Sequence, residues 1–414
     1  MGPGRQEETG LTEAFIFDAV RTPRGKGRPD GALHVLSPVE LAAFALTALD
    51  KRTGFSQAAP DDVIFGVGDG VNDQGANMAR SAVLLAGMPE SIPGLTVSRF
   101  CASGLDAVNA AAGRVMAGQA DLIVAGGVEM MSLIPIAGTG GPNGSDAAFN
   151  NAAHHTPLGM AADLLATVSG HSRADVDAYA AESQARAARA WDEGRFDRSV
   201  VPVADNTGTV LLERDEHIRR GTTAADLGRL PPAFAGMGEK GGFDAVVRQR
   251  YPQVMEVAHV HTAGNSSGIV DAAAAMLIGT REAGERLGLT PRARIRSFAT
   301  TAMDPCLMLA SPADATAQAL ARAGMAQGDV DLFEVNEAFA SVVLHFMERT
   351  GLDFERINVN GGGISMGHPI GATGVILVNT LLDELERTGQ GTGVATLCVG
   401  LGMGVATTIE RVQG

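Results

Sequence analysis

Cysteine is scarce in this chain: the 414 residues hold three, Cys101, Cys306 and Cys398. An odd count at such wide spacing argues against a disulfide framework, offers no zinc-ligand spacing and fits a reducing compartment. A surplus of positive charge is also lacking, since 32 Lys and Arg face 47 Asp and Glu for a net charge of −15. That argues against nucleic acid or an anionic membrane as the main partner. Any phosphate ligand must be held by a local basic cluster and backbone amides. No apolar run reaches the ~20 residues of a membrane span. The opening MGPGRQEETG lacks the apolar stretch of a signal peptide and reads as a disordered tail, so a cytoplasmic protein is expected. Two fingerprints are missing, the P-loop and H-E-x-x-H. Aromatics are few, with one Trp, two Tyr and fifteen Phe, while Ala, Gly and Val are plentiful. This is the profile of helices packed tightly on sheets, in a chain long enough for about two to three domains.

Two regions share a plan. In the first, Leu95-Thr96-Val97 reads as a short strand, Cys101 opens a helix through about Ala117, and Asp121 to Ala125 forms a strand ending in Gly126-Gly127-Val128-Glu129. In the second, Asn360-Gly361-Gly362-Gly363 leads past His368 into a helix from about Ala372 to Arg387, then a strand from Gly393 to Leu397 that runs into Cys398. Alternating strands and helices predict a mainly parallel sheet covered by helices, and the repeated plan predicts an internally duplicated α/β fold. Between the halves, residues 136–157 read as a long loop and residues 172–191 as a polar helix capped by Ser172.

Four short segments could carry chemistry. In SRFCASG, Cys101 sits where a strand turns into a helix, where a helix N-terminus favours a thiolate; a free cysteine is also commonly buried and inert. In GGGISMGHPIGATG, His368 lies among glycines that let a ligand approach closely, as an acid–base group or a local cap. In CVGLGMG, Cys398 and Gly400 end an apolar strand, where open α/β sheets place ligands. In NEAFA, Asn336 reads in isolation as a helix cap. Two cysteines and one histidine in glycine-rich turns point to covalent acyl chemistry, with backbone N–H groups as oxyanion donors.

These segments, with VHTAGNSSGIVDAAA at residues 260–274, resemble those of the thiolases in order and spacing. The resemblance runs from Ala14 to Arg411 and is nearest the 3-ketoacyl-CoA thiolase and acetyl-CoA acetyltransferase group. It implies a duplicated α-β-α-β-α sandwich with an inserted loop domain at 131–268. The first half would take 14–130 and about 269–290, and the second half 291–414. It implies Cys101 as the nucleophile, His368 as its activator, Asn336 as the holder of a water beside the thioester, and Cys398 as the second acid–base group. The N–H groups of Cys101 and Gly400 would form an oxyanion hole. Arg219 would meet the nucleotide end of CoA, and Ser267 and Ala263 would lie near the pantetheine. Met160, with Met130 and Met131, would line an acyl pocket or belong to the core. Acyl-CoA and CoA would be substrates, with no metal and no resident cofactor. The chain would work as a homodimer or homotetramer.

Departures are visible. Gly363 and Ser365 give G-G-G-I-S for the usual G-G-A-I-A, and Leu401 replaces the middle glycine of C-x-G-G-G. If that position needs φ > 0, Leu401 is strained or the turn differs. Pro157-Leu158-Gly159 stands where the short-chain biosynthetic branch has His-Met-Gly, and Asp163 stands for its Glu. The alternatives are a decarboxylating ketoacyl synthase, which would pair its cysteine with two histidines or Glu and His, and a CoA-ester-binding protein with an impaired site. Cys306 reads as a packed thiol.

Overall fold

The computed structural model describes residues 12–136 and 140–412. The expected tail falls almost wholly outside these residues. Apolar runs form nine principal strands: β1 (Ala14–Arg21), β2 (Asp62–Gly66), β3 (Leu95–Val97), β4 (Leu122–Met130), β5 (Val270–Gly279), β6 (Ala293–Ala302), β7 (Leu332–Val335), β8 (Thr392–Val399) and β9 (Met403–Arg411). They pair in the order β7-β8-β9-β6-β1-β5-β4-β2-β3, and Gly25–Lys26 adds a short segment beside β5. The principal helices are α1 (Pro38–Thr53), α2 (Met78–Leu85), α3 (Ser103–Met116), α4 (Leu158–Ser169), α5 (Arg173–Asp192), α6 (Pro312–Ala323), α7 (Ala340–Thr350) and α8 (Ile370–Thr388).

The duplication is legible in the pairing. Outward from the β1–β6 junction, β1-β5-β4-β2 and β6-β9-β8-β7 match in sense: antiparallel, antiparallel, then parallel. The expectation of a mainly parallel sheet is thus corrected to a mixed one. Only the strand–helix–strand units at the two flanks are parallel. The inner strands β1, β5, β6 and β9 run antiparallel to their neighbours, and β8 returns into β9 through the tight turn Gly400–Gly402.

Alternation along the strands sets the layers. On β4, Ile123 and Ala125 face one cluster with α3 and α8, while Leu122, Val124 and Val128 face another with α1 and α2. On β8, Ala395, Leu397 and Val399 face the same α3–α8 cluster, and Val394 faces a third with α6 and α7. Helices α3 and α8 are therefore buried between the two halves, giving five layers. Each fully buried Leu, Ile or Val there contributes roughly 1.5–3 kcal/mol.

That buried pair of helices positions the site. A Cβ on Gly374 of α8 would collide with the Leu105 backbone of α3, and one on Gly104 would come 2.6 Å from Gly371 O. Absent side chains let the first turns of α3 and α8 touch. The expected helix and strand limits shift by one to several residues. Strand β4 runs through Gly126 and Gly127 to Met130, and a Cβ at Gly127 would strike Gly371. The expected 136–157 loop contains two short helices, Pro142–Ser145 and Ala147–Ala153, the second capped by Asp146; residues 137–139 lie outside the described residues. Helix α5 starts as expected, with Ser172 and Asp175 forming a reciprocal cap. No helix among the described residues is long and apolar enough to cross a membrane.

Candidate active site

Cys101 lies in a single 3₁₀ turn, Phe100–Ala102, between β3 and α3. Phe100 takes φ +44°, and the turn is tied by Ser103, whose hydroxyl accepts from Arg99 N at 2.9 Å and donates to Phe100 O at 2.7 Å. The thiol is buried, and burial pushes it up to about 11, although the N–H groups of Gly400 and of Cys101 itself donate to it. The expected helix-end thiolate is therefore corrected. Loss of water outweighs the helix-terminal field, and the resting group is a thiol, ionised to about one part in 10⁴ at pH 7. These two backbone groups are the ones expected as oxyanion donors.

Cys398 is the next-to-last residue of β8, opposite Gly404. It is buried, and burial with the neighbouring Cys101 pushes its thiol far above the usual range. Gly400 follows in the turn, where a Cβ would rest against the Phe100 ring at 3.6 Å. Leu401 adopts φ 64°, ψ 23°, so the left-handed backbone is kept with a side chain in it. The departure leaves the Gly400 N–H aimed at Cys101 and stores strain instead. Leu401→Gly is expected to stabilise the fold by about 0.5–1 kcal/mol, with the released strain partly offset by glycine's chain entropy. Urea unfolding midpoints check this, and activity should stay within about twofold.

His368 follows Gly367, whose φ of 100° and contact with Val270 admit no side chain. Its Nδ1 is 2.6 Å from Thr373 Oγ1, and that hydroxyl gives its one proton to Pro369 O at 2.9 Å. Thr373 must therefore accept from Nδ1–H, which leaves a lone pair on Nε2. Burial, then the Arg24 guanidinium, hold the imidazole down to about 3, so it rests neutral. Asn336 is not a helix cap, since it directly follows β7, and α7 begins at Ala340 behind Phe339. Its Nδ2 donates toward His368 Nε2 at 3.3 Å, and its buried Oδ1 has no partner among the described residues.

Two buried carboxylates that sequence reasoning missed hold these turns. Glu129 accepts from Gly68 N and Gly371 N at 2.8 Å each and from Gln74 at 2.6 Å, joining β4 to the first turn of α8; burial pushes it up to about 7. Glu337 accepts from Tyr179 and Ser183 of α5 at 2.7 Å each and from Ile364 N at 3.0 Å. Ser365 joins that network, receiving Gly362 N at 3.1 Å and lying 3.0 Å from Ser183. The serine departure is thus accommodated. Glu337 lies inside the NEAFA segment, but no spacing marks the role of either glutamate, because each partner is remote along the chain.

Of the four expected CoA contacts, Arg219 and Ala263 share the wall of a cleft of 180 Å³ with Gln184, His217, Thr222 and Gly264. Gln184 anchors Arg219 N at 2.7 Å, and buried Asp215 ties the same segment to Arg21 at 2.8 and 3.0 Å. Ser267 and Met160 are not in that wall. Ser267 N donates to Ala338 O at 2.9 Å, and Met160 is fully buried in α4. Cys306 is fully buried among Leu164, Val247, Val254 and Val257. Among the described residues, no group of three or more His, Cys, Asp or Glu is placed to hold a metal ion.

Comparison with known proteins gives the family. The profile for the thiolase N-terminal domain matches residues 14–242, and that for the thiolase C-terminal domain matches 289–411. The β-ketoadipyl-CoA thiolase of Pseudomonas aeruginosa is 39% identical over 97% of this chain and 99% of its own length. The 3-ketoacyl-CoA thiolase of Bacillus subtilis is 37% identical over 97% of this chain and all of its own. The crystal structure of the Bacillus anthracis acetyl-CoA acetyltransferase superposes with a TM-score of 0.83 at 33% identity, covering 98% of this chain and all of that one.

Proposed function

The chain belongs to the thiolase family of acyltransferases, and from that premise we propose that it cleaves 3-ketoacyl-CoA with CoA, giving acetyl-CoA and a shortened acyl-CoA. The observation that supports this most is the Cys101 thiol beneath two N–H donors, on a turn whose helix touches the one led by His368. Attack of the Cys101 sulfur on the 3-keto carbon sends its proton to His368 Nε2. Cleavage of the C2–C3 bond leaves an acetyl-CoA carbanion, which takes the Cys398 proton. The resulting Cys398 thiolate then takes the proton of incoming CoA. The CoA sulfur displaces Cys101 from the acyl group, and His368 returns its proton to Cys101. Charge on the carbonyl oxygen of the acyl-enzyme is met by the N–H groups of Cys101 and Gly400. The sequence is ping-pong and reversible as a Claisen condensation.

CoA is a substrate here, with no resident cofactor or metal in the scheme. The inserted segment at 131–268 supplies the nucleotide site through Arg219 and the cleft it lines, with Ala263 and Ser267 along the path inward and Met160 behind the acyl site. The assembly is a homodimer or homotetramer, for which the sheet-ending strand β3 offers an edge. The setting is fatty-acid β-oxidation in the cytoplasm. The β-ketoadipyl-CoA relative brings a second candidate, a 3-ketoacyl chain ending in a carboxylate. The alternative, a CoA-ester-binding protein with an impaired site, would bind the ester without cleaving it. The test is CoA-dependent release of acetyl-CoA from 3-ketoacyl-CoA esters of graded length. Tight binding without release would overturn the proposal.

A further inference from the structure

Asp163, fully buried in α4, is saturated with donors. Its Oδ1 accepts from Val260 N at 3.1 Å, His261 N at 3.0 Å and His261 Nδ1 at 2.8 Å, and its Oδ2 accepts from His259 Nδ1 at 2.8 Å. This fixes the His261 ring: Nδ1 faces the carboxylate, and Nε2 lies on the edge away from it. The ring is fully buried, and Nε2 has no partner among the described residues. An unpaired buried nitrogen is unfavourable unless something uses it.

The surroundings say what could. The His261 ring meets Phe339 at 5.3 Å and 75°, and Phe339 meets Phe234 at 5.9 Å and 75°. Phe234 is held in place because Ala233 N donates to His261 O at 2.8 Å. Phe339 and Phe234 share one apolar cluster with Cys398, Ala338 and Met308. Two and three residues after His261, Ala263 and Gly264 line the CoA cleft; further on, Gly268 O accepts from His368 N at 2.9 Å. His261 therefore joins the segment that lines the cleft to the aromatic pair that clusters with Cys398, and its Nε2 is the unsatisfied polar atom of that trio.

Resting on the thiolysis reading above, we propose that His261 is a specificity-determining residue whose free Nε2 hydrogen-bonds an oxygen carried by the acyl chain, so that the substrates are oxygen-bearing 3-ketoacyl-CoA esters. The oxygen belongs to a hydroxyl, which donates to the Nε2 lone pair, or to a carboxyl group, which brings the proton that Nε2 then shares with it. Either satisfies an atom that a plain alkyl chain leaves unpaired.

Three six-carbon esters test this: 3-ketohexanoyl-CoA, its 6-hydroxy analogue and 3-ketoadipyl-CoA. They are compared by kcat/KM in the native chain and by Kd on the Cys101→Ser chain, which needs no turnover. The native site should favour one oxygenated ester over the plain one by about 10-fold or more. Which ester is favoured tells hydroxyl from carboxyl. His261→Asn keeps a donor for Asp163 and lacks Nε2, so the preference should vanish with plain-chain values within about twofold. His261→Val should behave alike if folded. A native site that favours the plain ester, a preference that survives in His261→Asn, or an equal fall for all three esters overturns the inference. If Kd shows the pattern while no ester is cleaved, the inference stands and the thiolysis reading falls.

Discussion

Cys398→Ala is expected to accept one acyl group from acetyl-CoA on Cys101 at near-native rate, yet to lose thiolysis of 3-ketoacyl-CoA by about 10³-fold. The two outcomes separate because the thiols have different tasks. Acylation by acetyl-CoA breaks a C–S bond, and CoA can leave as a thiolate, which takes its proton from Cys398 in the native chain and from water in the variant. Thiolysis breaks a C–C bond, and the acetyl carbanion needs a donor at carbon. Cys398 is held for that by its place at the end of β8 and by a burial that keeps it protonated. A second readout is independent of product formation. In D₂O the native enzyme should exchange the acetyl-CoA methyl hydrogens, and Cys398→Ala should not. Native-level thiolysis by this variant would remove Cys398 from the mechanism.

His368→Asn is expected to slow acylation of Cys101 by about 10³-fold at pH 7, with the rate recovering roughly tenfold per pH unit as pH rises toward about 11. The reasoning follows from the thiol, pushed up to about 11 by burial. With His368 present, the proton leaves during attack. Without it, only the ionised fraction reacts, and hydroxide sets that fraction. Stability gives an independent check. His368 binds a proton at about 3 in the folded chain against 6.5 when exposed. Below about pH 6.5 the unfolded chain takes up a proton that the folded chain refuses, so stability falls as pH drops toward 3, by about 4 kcal/mol at the end of that window. His368→Asn lacks this term, and its urea midpoint should decline less between pH 6.5 and pH 4. A flat acylation rate from pH 7 to 10 in the variant would contradict the role given to His368.

The parts of the site legible in the sequence were those that announce themselves locally. Cys101, His368, Cys398 and Gly400 sit in glycine-rich turns, and glycines where helices cross or strands turn leave a dense local signal. Leu401 was legible as a departure, and its left-handed backbone explains how the turn survives it. What stayed hidden was long-range. Glu129 meets Gly371 across 242 positions and Asp215 meets Arg21 across 194, and a carboxylate that will be buried looks like any other in a sequence. The ionisation of Cys101 was misjudged for a related reason. A helix terminus can be read from spacing, but the desolvation that outweighs it depends on every layer packed above. The mixed sheet escaped notice because only the flanking units show strand–helix–strand alternation. The pairing of Asp163 with His259 and His261 was invisible until α4 and the segment after Val257 were brought together.

The central claim is that Cys101 carries the acyl group. Intact-mass measurement after mixing the chain with acetyl-CoA, followed by peptide mapping, tests it most directly. A single acetyl adduct on Cys101, absent from Cys101→Ser and discharged by added CoA, is the predicted result. No adduct while the ester remains bound, or an acetyl group mapped to Cys398 or Cys306, would contradict it.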